Sequence, residues 1–248
     1  MKLSFAPILA IASTVTADYV CPTEPSLMDA KTLAFASTIQ SLAEGFYTRT
    51  PINSSMFSMM PQAEMNASNG NTMAENTATN VRGLRRQAQL ASHALMYEMP
   101  GDGLLMAPHC NNSFTYPQMP PMNGSAFLMN AFHLEASLCG AFIGLADYFQ
   151  SPELNSLSAR IAAEHGIHAS ALRSMMMPVG FMPNSTSLTP AFTPETVLME
   201  GEEVGMLGGW LGGCIDSAPE APCGGQVSFG PLLSNLTEQT GKMENTTN

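Results

Sequence analysis

Two stretches of the chain place ionisable side chains where apolar ones belong. Between residues 128 and 149, Leu128, Ala131, Leu138, Phe142, Leu145 and Phe149 recur at alternating steps of three and four, and the missing member of the series is Glu135. Between 157 and 175, Leu157, Ile161, Ala171 and Met175 define a second stripe whose intermediate positions are Glu164 and His168, with His165 one step round. A carboxylate inside an apolar stripe must be neutralised, hydrogen-bonded or bound to a cation, because an isolated buried charge is strongly unfavourable. Inward acids and imidazoles on facing helices are how bundles build metal sites. The same residues also suit a structural polar network without a metal, and both readings stand at this point.

Methionine offers a second chemistry. The chain has 20, many in Pro-rich segments, and thioethers are soft ligands that select Cu(I). Met175 to Met177, or Met96, Met99 and Met106 with His109 and Cys110, could hold such an ion; Met as filler of irregular gaps is the plainer reading. Hydrolase templates are absent: there is no G-x-S-x-G elbow and no H-E-x-x-H. The glycine-rich GMLGGWLGG and CGGQVSFG lack the lysine of a phosphate loop. His133, two residues from Glu135, is expected on another, exposed face.

Four helices must position these groups. The first starts near Ser26, with Asp29 as its capping-box partner, carries Phe35, Ile39, Leu42 and Phe46, and ends before Pro51. The second is expected from about Asn80 to Met99, with Leu84, Ala88, Ala91 and Leu95 on one face. The third runs from near Ser125 to about Gln150, and the fourth from Pro152 to Met177. Residues 51–79 and 100–124 read as long loops. Everything after Pro178 reads as an irregular tail, 179–248, packed on or beside the bundle, with at most a short helix from Glu202 to Trp210.

Lys2, the apolar run through Ile11 and the small-residue ending Val15-Thr16-Ala17 have the layout of a cleavable export signal over residues 1–17. No later stretch reads as a membrane span. Seven N-x-S/T sequons, at Asn53, Asn66, Asn111, Asn123, Asn184, Asn235 and Asn245, exceed the roughly two or three that chance would give, and all fall outside the expected helices. An exported, N-glycosylated protein is the expectation. Its five cysteines then meet an oxidising compartment. Cys139 is mid-helix and expected to be a buried thiol, Cys214 and Cys223 flank a loop they could close, and Cys21 with Cys110 is the default remaining pair. A net charge of −11 with nine Lys and Arg argues against nucleic acid; Arg82, Arg85 and Arg86 read as a solvated helix face.

The segments DAKTLAFASTIQSLAEGFY, LEASLCGAFIGLADYF and LSARIAAEHGIHASALRSM, followed by Phe192-Thr193-Pro194, Cys214, Ser217, Pro219, Pro222 and Phe229-Gly230-Pro231-Leu232, resemble secreted ferritin-like proteins of fungi, the stress-response or sexual-development type, and the related plant desiccation-associated proteins. The resemblance spans most of the chain after the signal and implies a ferritin-like four-helix bundle over about residues 25–178. It also implies metal positions: His93 in the second helix, Glu135 in the third and His168 in the fourth match. The family's first-helix Glu places hold Gln40 and Ala43, with Glu44 displaced by one. Leu90 stands where the second helix should offer Glu, and His165, beside Glu164, occupies the fourth-helix Glu position.

That set has too few carboxylates to bridge two hard cations. It suits one ion, iron, zinc or copper, or a degenerate bundle with none, and it argues against ferroxidase or oxygenase turnover. The expected function is therefore a secreted ferritin-like glycoprotein, with stress protection or development as the role the resemblance implies. An extracellular metal-binding protein and a structural protein with a cell-wall or other extracellular partner are the alternatives. The oligomeric state is left open.

Overall fold

The computed structural model describes residues 25–99, 110, 113–117, 123–177 and 189–221. It is mainly helical, with no strand among the described residues beyond an isolated bridge between Asn66 and Thr72. Four long helices, α1 (Leu27–Arg49), α2 (Met73–Tyr97), α3 (Gly124–Ala146) and α4 (Pro152–Met176), form the bundle. Two short ones, α5 (Pro194–Leu198) and α6 (Gly208–Leu211), follow.

Caps set the boundaries. Ser26 and Asp29 form the expected capping box on α1. Asp29 is fully buried, and its Oδ1 also accepts from the backbone N–H of Gln150 at 2.6 Å and of Ser151 at 3.4 Å. One carboxylate thus ties the start of α1 to the α3–α4 turn. The second helix begins seven residues before the expected Asn80, because Thr72 and Glu75 make a second capping box. The period is masked there by Asn76, Thr77, Thr79 and Asn80, although Thr77, Ala78 and Val81 are buried. The short helix expected over Glu202–Trp210 is instead the separate α5 and α6.

The contacts of α3 at its two ends show that it runs antiparallel to α1: Phe127 packs on Phe46 and Tyr47, while the turn after it meets Asp29. α3 and α4 form one tightly packed antiparallel pair, α1 and α2 the other. Phe46, Tyr47, Phe57, Phe127 and Phe142 are fully buried in the shared core, each such ring contributing about 1.5–3 kcal/mol through lost apolar exposure.

A second face of α3 is covered from outside the bundle. His133 stacks on Trp210, with ring centroids 5.6 Å apart; Ser137 Oγ accepts from Gly205 N–H at 2.8 Å; and Phe192 lies against Gly140 and Gly144, where any Cβ would collide with it. Residues 133, 137, 140 and 144 follow helical spacing, so segment 192–210 lies along one stripe of α3. His133 is therefore half-buried, not exposed, and burial pushes its pKa down against a hydrogen bond to the Met206 carbonyl. Cover on two sides explains why α3 is apolar all round. It is the one described helix long and apolar enough to cross a membrane, and most of its most apolar stretch is buried in the protein.

Cys110 and Cys214 are bonded to each other, which overturns the expected pairings of Cys21 with Cys110 and of Cys214 with Cys223. The physical reason is the fold: segment 189–221 returns to the residues preceding α3, where Thr115 N–H donates to Trp210 O at 2.8 Å. Cys139 is a buried free thiol. Cys21, Cys223 and the expected signal segment 1–17 lie outside the described residues, as do Asn111, Asn184, Asn235 and Asn245. Asn53, Asn66 and Asn123 are exposed, and all three sit at the same end of the bundle: after α1, before α2 and before α3.

Candidate functional site

Glu135 points from α3 into the centre of the bundle with no solvent exposure. Its Oε1 accepts from the Tyr47 hydroxyl at 2.6 Å. Its Oε2 lies 2.5 Å from His165 Nδ1 and 3.1 Å from His168 Nδ1. The two imidazoles come from successive turns of α4, with rings nearly perpendicular, and His165 stacks on Phe142. Phe142 also gives its carbonyl to Ser158 Oγ at 2.7 Å, which fixes the α3–α4 register beneath the site.

The far nitrogens meet side-chain amides. His165 Nε2 is 2.8 Å from Gln40 Oε1, and Gln40 Nε2 donates to the Ala88 carbonyl at 3.2 Å. A helix carbonyl can only accept, so Ala88 orients the amide and the oxygen must face the ring; His165 Nε2 therefore carries a hydrogen. His168 Nε2 is hydrogen-bonded to Gln87 Oε1 and lies 3.9 Å from Glu164 Oε1.

The electrostatics follow. Burial alone would push the Glu135 carboxyl up; His165 and then His168 more than reverse this and hold it at about 2. Burial pulls His168 down, but its hydrogen bond to Glu135, the Glu135 charge and then Glu164 raise it above the ordinary histidine value. The Tyr47 hydroxyl is raised well above its usual range by burial first, then by the Glu135 charge and hydrogen bond. Tyr47 therefore stays a donor.

The expected ligands divide into three groups. Glu135, His165 and His168 come together, and suitable ligand atoms of all three lie within 4.8 Å of one another. The stripe of α4 is turned by one residue from the expected one: His165 is inside at 1 % exposure, while Glu164 is at the rim. His93 does not take part. It and Leu90 are exposed on the outer face of α2, and the inward positions at this level are Ala88 and Ala91, which are buried. Tyr47 and Gln87 are the functional residues that the periodicity passed over. A phenol seven residues after Gln40, on the same face of α1, was the available signal for the first; Gln87, one step from the apolar face, had none. The soft-ligand clusters fare worse: Cys110 is consumed in its disulfide, and Met99, Met175 and Met176 pack against the core.

The profile of the ferritin-like domain matches residues 28–178. The chain belongs to the ferritin-like family. No curated protein and no solved structure matches it. A pair of iron ions does not fit this ferritin-like bundle: Gln40, Ala43, Ala88 and Ala91 leave Glu135 as the one carboxylate at the centre among the described residues, and its oxygens already take three protein donors. A single ion fits the donor chemistry of Glu135, His165 and His168, whose amide partners are of the kind that orient metal-binding imidazoles. Such an ion would supply a Lewis acid to the bundle centre.

Proposed function

We propose that this chain is an exported, N-glycosylated ferritin-like protein in which a carboxylate–imidazole knot stands where a di-metal centre would be, so that it performs no di-iron redox turnover. The observation that carries this reading is the saturation of Glu135: three protein donors on its two oxygens, and amides or alanines at the facing positions of α1 and α2. Export and glycosylation are supported by the signal-like residues 1–17, by the excess of sequons and by the exposure of Asn53, Asn66 and Asn123. Stress protection or development follows from the resemblance to the fungal and plant proteins. The knot then serves to specify helix register and stability rather than turnover.

Protein purified from a eukaryotic secretory host tests both halves. Mass spectrometry is expected to find well under two irons per chain, no oxygen uptake on adding Fe2+, and a mass loss on endoglycosidase treatment. Two irons with ferroxidase turnover would overturn the first half, and an unmodified product retained inside the cell would overturn the second. A second reading, one ion held by Glu135, His165 and His168, is favoured by the convergence of their ligand atoms. It predicts one equivalent of metal that is lost in both Glu135→Ala and His168→Ala.

A further inference from the structure

Methionine is distributed here unlike the other large apolar residues. Of the 16 described leucines, 12 are buried, as apolar side chains ordinarily are. Of the 14 described methionines only Met56 is buried, while Met59, Met65, Met96, Met129, Met177 and Met199 stand at 45 to 81 % exposure. Filling irregular gaps does not account for these six, since they fill none. Nor does one bound ion or one docked partner, because either needs side chains that converge. Met59 and Met65 precede α2 and Met96 lies in its last turn; Met129 is on α3, Met177 follows α4 and Met199 follows α5, so the set reaches both ends of the bundle and the covering segment.

What the six share is contact with water, and the reaction open to a thioether there is oxidation to the sulfoxide. We propose that these exposed thioethers are a sacrificial reductant for oxidants that carry a transferable oxygen, the hydroperoxides and hypohalous acids. The sulfur lone pair attacks the hydroxyl oxygen of HO–X. The O–X bond breaks as the S–O bond forms, sulfur is oxidised by two electrons, and X leaves with the proton as water, an alcohol or a hydrogen halide. One thioether and one HO–X thus give one sulfoxide and one HX. Among the described residues the other readily oxidised groups are withdrawn from these reagents: Cys139 is a buried thiol, Cys110 and Cys214 are already joined, and Trp210 is 9 % exposed. The surface thioethers are therefore the first sulfur that an oxidant meets. Their position also makes the product harmless, because a sulfoxide at the surface is hydrated, whereas the same change at Met56 would place an unpaired polar group in the core.

The proposal makes no use of Glu135, His165 or His168, so it stands or falls apart from the knot. The full-length glycoprotein and a variant carrying Met→Leu at all six positions are treated with hydrogen peroxide and, separately, with hypochlorous acid, and oxidation is located by peptide mass mapping. Leucine keeps the apolar bulk and removes the sulfur, and thermal melts of both untreated proteins control for folding. The parent is expected to take up about six more oxygen atoms per chain than the variant. The six exposed positions are expected to fill before Met56, Cys139 or Trp210 changes, an order read in the parent alone, and the oxidised protein to melt within about 2 °C of the untreated one. At limiting oxidant the variant is expected to lose Met56, Cys139 and Trp210 sooner than the parent does. A response to one oxidant alone assigns the reaction to that class. Met56 or Cys139 oxidised in step with the exposed set, equal protection of both in the variant, or a melt that falls as the surface sulfoxides form would each overturn the proposal.

Discussion

Glu135 and His168 make the stability of the metal-free protein depend on pH from two sides. The Glu135 carboxyl titrates at about 2 in the fold against its ordinary value near 4.5. Its contribution is therefore complete above pH 4.5 and is lost as pH falls toward 2. His168 is shifted the other way, above its ordinary 6.5, so its contribution is complete below that value and is lost as pH rises past the raised one. Melting temperature in the presence of a chelator is expected to be highest between about pH 4.5 and 6.5, falling on both sides. Glu135→Gln should flatten that profile while lowering its maximum, because the amide cannot accept all three donors and leaves a buried group unpaired, at about 1–3 kcal/mol. A profile that keeps its shape in the variant would remove these two groups from the account. The residues themselves were only partly legible. Glu135 announced itself as a gap in an apolar series, but the choice between Glu164 and His165 turned on a rotation of one residue about α4, and a short periodic run cannot fix a helix to within 100°. His93 failed for a different reason: its assignment came from likeness, while the outer position of its neighbour Leu90 was already at odds with the stripe of Leu84, Ala88, Ala91 and Leu95.

Among the elements, α1 depends most on a single side chain. Asp29 closes the capping box and holds the α3–α4 turn by accepting from Gln150 N–H and Ser151 N–H. Asp29→Ala removes a helix cap and leaves buried backbone donors without partners, so a loss of about 2–3 kcal/mol is expected from the two effects together. Chemical denaturation measures it, and a loss below about 0.5 kcal/mol would show that the turn is held by packing alone. The Ser26–Asp29 signal was readable in the sequence because such a box is local. The Thr72–Glu75 box is equally local, but the polar run behind it hides the apolar period, so periodicity alone starts the helix near Asn80. The tie of Asp29 to the α3–α4 turn and the cover over the stripe of His133, Ser137, Gly140 and Gly144 were not readable, since in both the partner arrives from more than 45 residues away.

At the scale of the molecule, the Cys110–Cys214 bond spans 104 residues and encloses α3, α4 and the covering segment. On a chain-entropy basis a closure of this length is worth about 4–5 kcal/mol. The Cys110→Ser, Cys214→Ser double variant is expected to melt well below the parent, and reduction of the parent should bring the two together. Coincident melts without reduction would mean that docking of Trp210 and Phe192 suffices without the covalent tie. The pairing itself could not be had from the sequence, because five cysteines allow many connectivities and only the return of residues 189–221 to the start of α3 selects this one.

The same bond makes about two-fifths of the polypeptide a ring. A single backbone cut anywhere between Cys110 and Cys214 opens the ring without dividing the protein, so the nicked molecule keeps its full mass under non-reducing conditions and parts into two pieces only when a reductant is added. The most apolar helix and both site histidines lie inside that circle, while α1 and α2 do not, so a cut among proteases leaves the site's own segment covalently attached.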